Sequence, residues 1–83
     1  MHAEELLIAC IAHAAQRLGY SHIKPSPACN TATAVVTIYR QEGDHVIAVD
    51  LYASQQPATG KITVSQLSNQ YPVARLPKQA RPI

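Results

Sequence analysis

The chain has 83 residues, of which 14% are charged, and a formal net charge of +2. That length supports one small core, and the mild charge excludes a nucleic-acid mimic and a strongly basic nucleic-acid binder. With no Phe or Trp and four Tyr, the core is thin, so a homodimer is an early expectation.

Residues 3–18 read as a helix. Leu7, Cys10, Ile11, Ala14 and Leu18 share one face at i, i+3, i+4, i+7 and i+11. Glu4 and Glu5 lie at the positive end of the helix dipole and Arg17 near the negative end. Gly19 stands where a left-handed residue ends a helix. Ala9 and Ala12, on the opposite side, are small enough for another helix to approach, although Ala is also the best helix former. Residues 20–30 contain Pro25 and Pro27 and are expected to be an irregular connector.

Residues 31–53 predict a β-hairpin: a strand over 31–40, a turn at Gln41-Glu42-Gly43-Asp44 and a strand over 45–53. Ala32, Ala34, Val36 and Ile38 alternate onto one face with Ile47, Val49, Leu51 and Ala53. A two-residue Glu42-Gly43 loop pairs Ile38 with Ile47, Val36 with Val49, Ala34 with Leu51 and Ala32 with Ala53. A four-residue loop gives the same pairs, whereas a three-residue loop without a bulge sets core residues opposite surface ones. After a polar loop over 54–60, a third strand is expected over 61–66 with Ile62 and Val64 facing in. Beyond Leu67 the periodicity fails, and Pro72, Pro77 and Pro82 point to an extended or partly disordered tail.

The expected fold is α+β: one N-terminal helix packed on a three-stranded antiparallel β-meander in the order α-β-β-β. Residues 1–67 form a single domain and residues 68–83 an extended Pro-rich C-terminal tail. Short connections place the first strand at an edge, where only the terminal Arg40 carries charge. No run approaches the roughly 18 apolar residues of a membrane span. The acidic start is unlike a secretory leader, so a cytoplasmic location with reduced Cys10 and Cys29 is expected.

One helix covers one face of a sheet, so the other face must meet solvent, a partner or a ligand. That outer face carries Val35, Tyr39, Val46 and Tyr52 among Thr33, Thr37, Ala48 and Asp50. Val35, Tyr39, Val46, Asp50 and Tyr52 are therefore the candidate partner-binding residues. In the expected register Tyr39 faces Val46, Thr33 faces Tyr52 and Val35 faces Asp50. The alternative is that the tail folds back over this face with Tyr71, Val73 and Leu76. A second candidate surface is the basic tail: Tyr71, Arg75, Lys78 and Arg81. Together with Lys61, and with Tyr39 and Tyr52 as stacking rings, these residues would suit nucleic acid. The α-β-β-β order resembles that of a double-stranded RNA-binding domain, a family that continues into a second, Lys-rich helix where this chain has its Pro-rich tail.

Cys10, His13, His22 and Cys29 supply zinc-ligand atoms in the spacing C-x2-H-x8-H-x6-C. Cys10 is expected in the apolar stripe, where a thiol behaves as a small hydrophobe, so neither metal nor cofactor is expected. A Cys10–Cys29 disulfide is the other use of these thiols. The acids are few (Glu4, Glu5, Glu42, Asp44 and Asp50), and three glycines make no phosphate loop. The chain is therefore read as no enzyme. The expected function is a small non-enzymatic protein-binding module in the style of a phage or mobile-element accessory protein. It would act as a homodimer, as a stoichiometric inhibitor or as an adaptor of a larger protein, through the outer face or by β-augmentation at the first strand. The alternative is a nucleic-acid-binding domain.

Overall fold

The structure is a computed structural model that describes residues 3–26 and 33–83. Its elements are α1 (Ala3–Arg17), β1 (His22–Pro25), β2 (Thr33–Glu42), β3 (His45–Gln55), β4 (Ile62–Gln66), β5 (Tyr71–Val73) and β6 (Arg81–Pro82). The architecture is α+β, with one helix on an antiparallel sheet. Among the described residues the sheet has six strands instead of the expected three.

The helix ends as its sequence requires. Gly19 takes φ +94; its N–H donates to Gln16 O at 3.1 Å, and Tyr20 N–H donates to Ala15 O at 3.0 Å. These two bonds form a Schellman motif. Ala15 and Tyr20 both enter the core, which adds the apolar contact that accompanies it.

The buried side of α1 is Leu7, Ile11 and Ala15, with Ile8 and Ala12 packed beside them. Cys10, Ala14 and Leu18, expected on this stripe, are exposed. In a helix rich in Ala, the i+3 and i+4 rows look alike to an apolar count, so periodicity alone did not select the row. The neighbouring strands did, because Ile23 of β1 joins the core next to Ile8 and Ala12.

β1 is the strand that the connector concealed. His22–Pro25 pairs antiparallel with β2, from His22↔Tyr39 to Pro25↔Val36. Pro25 sits at its last position, where a missing N–H is tolerated. The strand path is β4-β3-β2-β1-β6, so β2 is central. The expected edge at the first strand is corrected accordingly.

The β2–β3 turn is Gly43-Asp44, one residue later than expected, with Glu42 opposite His45. Gly43 has φ +60, and a type II′ hairpin turn places Gly at this first central position. Every pair therefore slides by two residues. Ile38 faces Val49, Val36 faces Leu51 and Ala34 faces Ala53. A shift of two preserves side-chain parity, so the inner face is still apolar opposite apolar.

Residues 68–83, expected as a tail, carry β5 and β6. β5 pairs with β3 (Val46↔Val73, Ile47↔Pro72, Ala48↔Tyr71). β6 pairs with β1 (His22↔Pro82, Ile23↔Arg81). Between them, residues 74–80 cross the outer face as a strap. Under it lies a second core of Tyr39, Val46 and Ala48, packed by Val73, Leu76 and Ala80. A polar cluster ties the ends together. Arg40 lies over the Tyr20 ring at 5.3 Å and donates to Tyr20 Oη, Glu42 Oε2 and Gln70 Oε1. Gln70 in turn donates to Tyr20 Oη at 3.0 Å.

The placement of the helix makes a paired prediction. Ile11→Ala empties the core and lowers unfolding free energy by about 2–5 kcal/mol. Cys10→Ala, one residue away and exposed, changes it by less than about 0.5 kcal/mol. Urea denaturation followed by circular dichroism measures both.

Candidate functional site

Side-chain alternation from the observed register defines the outer face. β2 contributes Thr33, Val35, Thr37 and Tyr39; β3 contributes Val46, Ala48, Asp50, Tyr52 and Ser54. The strap divides this face in two. At the turn end Tyr39, 2% exposed, and Val46, 3% exposed, are core residues. Toward the other end Val35, Asp50 and Tyr52 remain half-buried on an open surface. The five candidate outer-face residues thus separate, two beneath the strap and three in the open.

The open half is organised around Asp50. Thr37, directly opposite it on β2, donates to Asp50 Oδ1 at 2.7 Å. Tyr71 Oη donates to the same oxygen at 3.0 Å. Asp50 N–H donates to Ser68 Oγ at 3.1 Å, and Leu67 N–H donates to Asp50 O at 2.8 Å.

These contacts follow from the way β4 passes into β5. Leu51 pairs with Gln66 and Ala48 pairs with Tyr71, so residues 67–70 bulge opposite Val49 and Asp50. The two surplus residues keep the parity, and Tyr71 and Val73 return to the outer face. Leu67, two residues beyond Ser65, continues that face and is 57% exposed. The open surface is therefore a ring of Val35, Tyr52, Leu67 and Tyr71 around a carboxylate. Leu67 and Ser68 belong to it and were not singled out from sequence. The only signal for them was the loss of alternation beyond Leu67.

The basic-tail residues do not form one track. Tyr71 is bonded to Asp50. Arg75 and Lys78 are exposed on the strap. Arg81 lies on the helix side, in register with Ile23. There it borders an apolar cleft of about 250 Å³ between α1 and the β1–β6 edge, lined by Ile8, Ala12, Ile23 and Ile83. Tyr39 is buried, so it does not share a stacking surface with Tyr52.

Cys10 and His13 are exposed on α1, and His22 accepts or donates a 2.8 Å bond with Ser21 Oγ. Cys29 lies outside the described residues. Among the described residues, no three His, Cys, Asp or Glu side chains come together as metal ligands, and no helix is long and apolar enough to cross a membrane. Comparison of the chain with protein-family models, with curated proteins and with solved structures found no match.

Partial burial, then the hydrogen bond and negative charge of Asp50, raise the Tyr71 phenol above its ordinary value of 10.0. A raised value favours the protonated phenol in the folded chain. Its contribution is therefore complete below the unfolded value and lost as pH rises through the folded one. Urea midpoints measured across the alkaline range fall above about pH 10, and Tyr71→Phe makes that fall shallower.

Proposed function

We propose that the chain is a non-enzymatic protein-binding module, acting as a homodimer or as a stoichiometric inhibitor or adaptor of a larger protein. The observation that carries this reading is the half-covered outer face: Val35, Tyr52, Leu67 and Tyr71 surround Asp50 and stay open while Tyr39, Val46 and Ala48 are sealed by the strap. Aromatic and aliphatic contact area with one fixed acceptor suits the centre of a protein interface. Oδ1 of Asp50 already takes two donors of its own chain. A partner therefore meets a preorganised carboxylate, and a cation or hydroxyl on that partner avoids leaving it buried and unpaired. The separation of Arg75 and Lys78 from Arg81 favours this reading over the nucleic-acid alternative, which calls for a continuous basic track.

The tagged chain is expected to retain one dominant protein from lysate. Tyr52→Arg is expected to lower that retention at least tenfold while leaving the circular dichroism spectrum unchanged. Retention of nucleic acid that falls steeply with salt, with a slope flattened by Arg75→Ala and Lys78→Ala, is the outcome that would replace this reading with the alternative.

A further inference from the structure

Among the described residues, the three strand edges that face outward are not alike. β5 is Tyr-Pro-Val, with Pro72 at its centre, and β6 is Arg-Pro. Proline and charge are the residues that keep an edge from pairing with another chain. β4 is Ile-Thr-Val-Ser-Gln and has neither. Among the described residues it is paired on one side only, to β3.

The hydrogen-bond phase of β4 can be read from its flanks. Gln56 N–H donates to Lys61 O, and Leu67 N–H donates to Asp50 O. In an antiparallel ladder such bonded pairs recur every second residue. Residues 61, 63, 65 and 67 therefore bond toward β3, and Ile62, Val64 and Gln66 aim their N–H and C=O groups at the open edge. The helix-side face of β4 is also incompletely covered, with Val64 50% exposed.

We infer that this edge pairs antiparallel with β4 of a second copy about a two-fold axis at Val64. In that register Val64 faces its own counterpart, Thr63 faces Ser65, and Ile62 faces Gln66. The pairing supplies about six backbone hydrogen bonds, all to groups that β3 does not use. The two Val64 side chains meet on the helix-side face with Ile62 against Gln66 beside them, and hydroxyls meet on the other face. The charges are compatible. Lys61 lies opposite Leu67 of the second copy, and the two Lys61 residues stand about 20 Å apart. The polar loop at residues 56–60 and the bulge at residues 67–70 bound the slot to the five residues of β4. An edge that short buries less than about 1,200 Å² and gives a weak, concentration-dependent dimer. The inference deepens the homodimer part of the proposed function and locates the contact away from the Asp50 face.

Light scattering over a concentration series is expected to show the mass rising from 9.0 kDa toward twice that value. Val64→Lys sets like charges opposite each other, and Val64→Pro removes an outward N–H without touching the β3 ladder. Both are expected to remain monomeric at every concentration with an unchanged circular dichroism spectrum. In a Cys10→Ser, Cys29→Ser background, Val64→Cys is expected to oxidise to a covalent dimer, since paired Cα atoms lie about 5.5 Å apart. Thr63→Cys, out of register with its own copy, is expected not to. A chain that is monomeric throughout, or a dimer indifferent to both Val64 substitutions, overturns the inference. A dimer that survives Val64→Lys and dissociates with Tyr52→Arg also overturns it, while leaving the outer-face reading intact. A monomer that still captures a lysate protein through Tyr52 separates the two in the same way.

Discussion

Pairing of β2 with β3 is the constraint from which the remaining contacts follow. It runs from Glu42↔His45 at the turn to Thr33↔Ser54 at the far end. Side chains alternate along both strands, so this single register assigns Ala34, Val36, Ile38, Val49 and Ala53 to the helix and Tyr39, Val46 and Ala48 to the strap. A slip by one residue would turn Asp50 or Thr37 under α1, where a carboxylate has no compensating donor. In the observed register Thr37 stands directly opposite Asp50 and donates to it. Gly43 secures this arrangement locally, because its positive φ starts the turn at a residue that adopts that conformation without strain.

A sheet this long for so short a chain creates a covering problem. The 15-residue helix protects the inner face over β2 and β3 and leaves the outer face to other means. The strap solves half of it. By burying Tyr39, Val46 and Ala48 it adds apolar area that one helix on one side of a small domain does not supply. It also fixes both of its own ends, β5 against β3 and β6 against β1. The Arg40–Tyr20–Gln70 cluster joins the helix C-terminus, β2 and the bulge before β5 at one point. The Arg40–Glu42 ion pair within it is largely solvated and adds little energy by itself. Its larger effect is to orient the guanidinium over the ring. What remains open is the surface around Asp50, an acid among apolar and hydroxyl side chains that is held in place by donors from two neighbouring strands.

The elements with strong local signals were legible in the sequence. The helix, its glycine stop, the hairpin and the third strand all stood out, because periodicity and turn chemistry act over a few residues. The parity of the hairpin was correct even though its turn sits one residue later. Both candidate turns put apolar residues opposite apolar ones, and only the backbone conformation at Gly43 distinguishes them. What was not legible depends on distant partners. β1 has four residues, and β5 and β6 have three and two. Strands so short gain their definition from the neighbour they join, so no window of their own sequence announces them. The candidate site suffered for the same reason. Tyr39 and Val46 have the composition of an interface, and their burial follows from Leu76 and Ala80, about thirty to forty residues away along the chain.

Proline accounts for both the concealment and the protection of these edges. Pro25, Pro72 and Pro82 break the patterns by which β1, β5 and β6 would be recognised, and each occupies a strand that can spare an N–H. At Pro72 and Pro82 the missing donor also denies an incoming strand its hydrogen bond. β4 is the complementary case. Its alternation of Ile, Thr, Val and Ser makes it easy to recognise from sequence because nothing in it opposes strand pairing. The same property leaves three residues with outward N–H and C=O groups, the middle one a half-exposed valine. The edges of β5 and β6 carry proline, and the edge of β4 does not.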